Sequence, residues 1–154
     1  MIEEFVDHFH HGKEEKAYFP ETIEKGEFSE DIRKFLIEHE FGRRIAIMLR
    51  KAVNKWKSKI NESSQDEEQK RTLLEPIARF LKTYAIFIED HTSKEDKFFD
   101  SIEEGKILST NDDELLLTHY ESCMNQAGGK FRMDQMIKLI DYLENREWMK
   151  EGFG

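Results

Sequence analysis

At 154 residues, 38% of them hydrophobic and 37% charged, the chain is long enough for one well-packed domain and too short for two. A formal charge of -9 argues against nucleic acid or an anionic membrane surface as partner. One cysteine, Cys123, excludes an internal disulfide and fits a reducing compartment. With no membrane-length apolar run and no signal-peptide pattern at the N-terminus, a cytoplasmic location is expected.

The chain reads in order as helices. The first covers about 2–18, with Ile2, Phe5, Val6 and Phe9 on one side. Pro20 and the run 24–29 form a connector, and Ser29 is placed to cap the next helix. That second helix, about 30–57, gathers Ile32, Phe35, Leu36, His39, Arg43, Ala46, Ile47 and Val53 on one face. The polar stretch 58–66 reads as a helix–helix loop. A third helix spans 67–104, with Pro76 either kinking it or marking its start. Gly105 is expected to close it as a C-terminal cap.

A fourth helix is expected from Asn111 to Ala127, with Leu115, Leu116, His119, Cys123 and Ala127 in one stripe. Gly128-Gly129 breaks it. The last helix, about 131–149, is amphipathic through Met133, Met136, Ile137, Ile140 and Leu143. No strand-like alternation with hairpin turns appears, so the class is all-α, a bundle.

The third helix carries an unusual apolar stripe. Tyr84, Phe87, Ile88, His91, Glu95, Phe98 and Ile102 recur at spacings of three and four, which puts a histidine and a glutamate among aromatics. Such burial is costly unless the polar groups are bound, and a metal cation accepts both neutral imidazole and carboxylate as ligands. The same pattern occurs earlier: His10-His11-Gly12-Lys13-Glu14-Glu15-Lys16 aligns without gaps on His91-Thr92-Ser93-Lys94-Glu95-Asp96-Lys97. In both, a His and a Glu stand one helical turn apart. At about 100° per residue, His10 falls at the flank of the Phe5–Phe9 face, while His11 and Glu15 fall nearly opposite. His10 and Glu14 are therefore the better pair.

His39 and His119 also lie on apolar stripes. A single buried histidine is more often a satisfied core residue than a ligand. Four on four helices, two with a glutamate at i+4, are hard to explain as core filling, because each would need a buried partner. The metal-ligand candidates are His10, Glu14, His39, His91, Glu95 and His119. Other chemistries fit less well: there is one cysteine for a structural zinc site, no His-Glu-x-x-His, no Glu-x-x-His and no glycine-rich phosphate loop.

The segments His10–Glu15, Ile37-Glu38-His39-Glu40-Phe41-Gly42-Arg43 and His91–Phe99 together resemble the hemerythrin-like, or HHE cation-binding, family. They come in the family's order over about 1–102. The resemblance implies an antiparallel four-helix bundle around a non-haem di-iron centre with an oxo or hydroxo bridge. By it, Glu14 and Glu95 bridge the two irons, and His10, His39 and His91 are terminal ligands. Family members usually open with another histidine-bearing helix, and here only nine residues precede His10. His119 on the fourth helix is the substitute expected, as if the helix order were permuted; a second subunit of a homodimer as donor, or a fragment with an incomplete site, are the alternatives. The last helix then extends or shields the bundle, and 1–154 is one domain.

Such a centre leaves open metal positions, which implies chemistry with O₂, NO or peroxide. Arg43 and Tyr84 are candidates for hydrogen bonding to the ligands, beside a bland role in packing. The leading function is binding or sensing of O₂ or a related small ligand. The alternatives are a di-iron oxidase, peroxidase or NO-handling enzyme, and a regulatory module responsive to iron or gas.

Overall fold

The structure is a computed structural model, and it describes residues 2–25, 28–62 and 67–147. Every regular element among the described residues is helical, as expected. In chain order they are π1 (Ile2–His11), π2 (Glu14–Tyr18), α1 (Phe19–Ile23), α2 (Ser29–Glu62), α3 (Glu67–Glu104), α4 (Thr110–Gln126) and α5 (Gly129–Glu144). The chain folds as two compact units: Thr22–Leu108 forms one, and Met1–Glu21 with Ser109–Gly154 forms the other.

The Thr22–Leu108 unit is a helical hairpin. Phe28 and Phe35 meet Phe98, Phe35 also meets His91, and Phe41 meets Phe87, so α3 numbers fall as α2 numbers rise. The two helices are therefore antiparallel. Their shared seam follows the three-four spacing: Ile32, Phe35, His39, Ile45 and Leu49 are buried on α2, and Tyr84, His91, Glu95, Phe98 and Ile102 on α3. Each large apolar side chain so buried contributes about 1.5–3 kcal/mol. Leu36 and Ile47, expected on the inner face of α2, are 41% and 52% exposed, because they lie to the side of the narrow stripe a single partner helix covers. Gly42 sits on the seam, where an added Cβ would come within 2.9 Å of Phe87 Cε1. Its lack of a side chain sets how closely the helices approach beside His39.

Pro76 neither starts nor ends α3, which runs through it. At the far end the left-handed residue is Lys106 (φ 49°), one place after the expected Gly105. Ile107 N–H donates to the Ile102 carbonyl at 3.1 Å and Lys106 N–H to that of Glu103 at 3.0 Å. These are the paired bonds of a Schellman closure, in which the residue following the cap, here Lys106, turns left-handed.

In the other unit the first helix winds wide, as π-helix over most of its length. Its Phe9 packs with Cys123, Ala127, Met133 and Met136, and the half-buried Phe5 and Met124 close over this core. Phe9 also meets Tyr120 edge-on at 5.4 Å. Helix α4 starts at a capping box not read from the sequence: the Ser109 hydroxyl accepts from Asp112 N–H, and Asp112 Oδ2 accepts from Ser109 N–H at 2.6 Å. Gly128 (φ 101°) and Gly129 (φ 72°) then reverse the chain into α5 through conformations that favour glycine. Helix α5 buries Met133 and Met136 but leaves Ile137 51% and Ile140 37% exposed, so its covered face is shorter than the amphipathic pattern implied. Residues 148–149 of the expected last helix lie outside the described residues.

Candidate metal centre

In the hairpin unit, two imidazoles converge on one carboxylate oxygen. The i, i+4 spacing on α3 sets His91 Nε2 3.1 Å from Glu95 Oε1. Antiparallel pairing brings His39 across from α2, with its Nε2 3.1 Å from the same oxygen. The two rings lie 5.0 Å apart at 79°. All three residues are buried. Phe87 stacks on His91 at 5.6 Å and 10°, and Phe35 meets it edge-on at 6.0 Å.

The second nitrogen of His91 is also held. Nδ1 lies 2.8 Å from Glu38 Oε2, and Lys94 Nζ donates to Glu38 Oε1 at 2.8 Å while pairing with Asp90 at 2.5 Å. Burial alone would push the Glu38 carboxyl up, but the hydrogen bonds from Lys94 and His91 outweigh it and hold the group below its ordinary value. Burial likewise opposes a charged His91, yet the bonds to Glu95 and Glu38 prevail and its pKa is raised.

This geometry fits a metal cation. With Nδ1–H donating to Glu38, the neutral His91 ring presents a lone pair at Nε2, and that lone pair faces a carboxylate oxygen. His39 Nε2 is directed at the same oxygen. Electron-pair donors so close repel unless a proton or a cation lies among them, and imidazole with carboxylate is a donor set that divalent transition metals accept.

The other unit carries the second His/Glu pair. His10 Nδ1 is 3.4 Å from Glu14 Oε1; the glutamate side chain is 1% exposed and that of His10 29%. His11, expected to turn away, is 2% exposed, with its ring 5.6 Å from that of His10 and Nδ1 3.7 Å from Asp7 Oδ1. The cause is the helix type. Bonding from i to i+5 advances each residue by less than the α-helical step, so over ten residues the faces shift and His11 rotates inward. Tyr18, one turn beyond Glu14, is half-buried. Burial first, and then the nearby Asp113, Glu14 and Tyr120, push its phenol above the ordinary value.

Among the described residues, the clustered groups able to offer a metal-ligand atom are His10, His11 and Glu14 in one unit and His39, His91 and Glu95 in the other. His119 is half-buried on α4 and belongs to no cluster of three candidate donors among the described residues. Arg43 is half-buried and Tyr84 is buried, its ring 6.4 Å from that of Phe87.

The sequence model described as the hemerythrin HHE cation binding domain matches residues 1–100. The chain belongs to the hemerythrin HHE cation-binding family. Comparison with curated proteins and with solved structures finds no match. The matched part of this hemerythrin-type chain contains both His/Glu pairs and His39, and His119 falls outside it. The family is one of helical bundles that bind metal cations, in keeping with the all-helical chain and its buried His and Glu donors. No described helix is long and apolar enough to cross a membrane.

Two residues beside these candidate donors were not singled out by the sequence. His11 was visible as half of a His-His doublet, but an α-helical phase assigned it outward. Glu38 stands beside His39 in the motif, and nothing in its local spacing singles it out; only pairing α2 with α3 brings it to His91.

Proposed function

We propose that the chain is a non-haem di-iron protein that binds or senses O₂, or NO or peroxide in its place. The observation that carries this reading is the convergence of His39 and His91 on Glu95 in a buried seam of a cation-binding family. His10, Glu14, His39, His91 and Glu95 are the residues that would hold the metal. The burial of His11, against the half-burial of His119, supports His11 as the further imidazole. Bound iron would supply the redox and ligand-exchange chemistry toward a small oxidant or gas.

The chain's own residues do the rest. Phe35, Phe87 and Phe98 surround the His91 ring or its seam and keep bulk water from it. The α2–α3 pairing fixes the separation of His39 and Glu95. The test is metal analysis of protein purified without oxygen, followed by absorption spectra before and after adding air or NO. Iron in the protein with a spectrum that responds to either gas is the expected result. Absence of iron overturns the metal assignment, and iron that responds to neither gas overturns the ligand assignment alone.

A further inference from the structure

We infer that Glu38 is a positioning residue for the metal site: it fixes the tautomer and ring plane of His91 so that Nε2 carries the ligating lone pair. This rests on the proposed metal reading. Four observations carry it. Glu38 Oε2 lies 2.8 Å from His91 Nδ1, closer than the 3.1 Å from Nε2 to Glu95, so the proton of a neutral ring belongs on Nδ1. The opposite oxygen of Glu38 is held at 2.8 Å by Lys94, so the carboxylate is anchored at both ends. Lys94 is itself tied to Asp90 one turn earlier, which fixes the anchor to the same helix as His91. Finally, Phe87 stacks on the imidazole at 10° and so holds the plane of the ring in which Glu38 meets Nδ1.

The consequence comes from the chemistry of imidazole. A carboxylate accepting the distal N–H makes the ring a stronger donor at its other nitrogen, and such outer partners are worth about 10–100-fold in metal affinity. Glu38 is partly solvent-exposed, at 24% of its side chain, so replacing it does not empty the core. Lys94 balances the charge of Glu38 and so sets how strongly the carboxylate draws on the His91 proton.

The experiment compares the wild type with Glu38→Gln, Glu38→Asp, His91→Ala and the double variant Glu38→Gln/His91→Ala. Co(II) affinity is measured by chelator competition, with the visible Co(II) spectrum as a second readout. Glu38→Gln is expected to weaken binding about 10–100-fold and shift the spectrum. Glu38→Asp is expected to recover part of both. In the His91→Ala background Glu38→Gln should have no further effect, because a residue that acts through His91 has nothing left to act on.

Equal affinity and spectrum in Glu38→Gln, or additive losses in the double variant, overturn the inference. Metal-free ¹⁵N NMR of the His91 ring, at a pH that leaves it neutral, keeps this inference separate from the metal reading. The wild type should hold its proton on Nδ1, and Glu38→Gln should shift it toward Nε2. A wild type that binds no metal but shows this tautomer change fails the functional proposal alone. An unchanged tautomer fails the positioning role even if metal binds.

Discussion

His91 and Glu95 meet through Nε2 at 3.1 Å on a regular α-helix, whereas their counterparts in the repeated motif, His10 and Glu14, meet through Nδ1 at 3.4 Å in a π-wound stretch. One motif thus presents different ring nitrogens in the two units. The hairpin half is pre-organised: its rings are buried, and Glu38, Phe87 and Phe35 hold His91 in place. The N-terminal half is wider, with His10 partly exposed and His11 rotated inward. A His-x-x-x-Glu spacing names the donor residues, and the helix type and the opposing helix decide which atom each one presents.

The largest test of this asymmetry removes the shared oxygens. Glu95→Ala takes away the atom that both His39 and His91 face and leaves two imidazoles without their common centre. Metal retained after gel filtration should fall to background. Glu14→Ala, in the half with the looser pair, should retain more metal than Glu95→Ala. Equal losses in the two variants would show that the halves contribute alike, contrary to the geometry. Next in size, His11→Ala should reduce bound metal and His119→Ala should leave it unchanged. The reverse pattern would return the further imidazole to α4.

Much of the hairpin half was legible because its helices are regular. A three-four pattern assigns Tyr84, Phe87, Ile88, His91, Glu95, Phe98 and Ile102 to one stripe; the structure buries five of them and half-buries Phe87 and Ile88. The same arithmetic failed at His11, because a fixed angular step assumes α-helical bonding and π1 does not have it. Glu38 was illegible for another reason. Its role depends on a neighbour 53 residues away in sequence, and no local period encodes which residues of two antiparallel helices come opposite. The Lys106 turn shows a smaller limit: Gly105 marked the end of α3 correctly, but the 6→1 bond from Ile107 placed the left-handed residue one step later.

Two glycines sharpen the comparison at the level of stability. In the hairpin, Gly42→Ala forces a methyl to within 2.9 Å of Phe87 Cε1, and Phe87 cannot retreat without giving up its stacking on His91. Overpacking of this kind costs about 1–3 kcal/mol. The melting temperature should fall, by about 2–4 °C for each kcal/mol in a chain of this size. In the π-wound half, a Cβ at Gly12 meets only Asp7 O at 3.8 Å, an ordinary contact. There Gly12→Ala should stabilise by about 0.5–1 kcal/mol, since alanine loses less chain entropy on entering a helix. Thermal unfolding of the metal-free protein checks both. A destabilised Gly12→Ala would mean the wide helix has no room to spare.

The smallest effect concerns how the π-wound helix is tied to α5. Arg132 Nη2 lies 2.6 Å from Glu4 Oε2, and that hydrogen bond is the main reason the Glu4 carboxyl is held below its ordinary value. A lowered folded-state pKa means that the pair favours folding above the ordinary glutamate range. That advantage is lost as the pH falls through the lowered value. Both side chains are 41% exposed, so solvent and salt screen the pair and its effect on stability is small. Arg132→Gln should therefore melt slightly below the wild type at neutral pH and low salt. The gap should close as the solution is acidified below the carboxylate range, and added salt at neutral pH should close it as well. A gap that persists in acid would mean that the Arg132 stem, packed against Gly128 where the chain turns into α5, matters more than its charge.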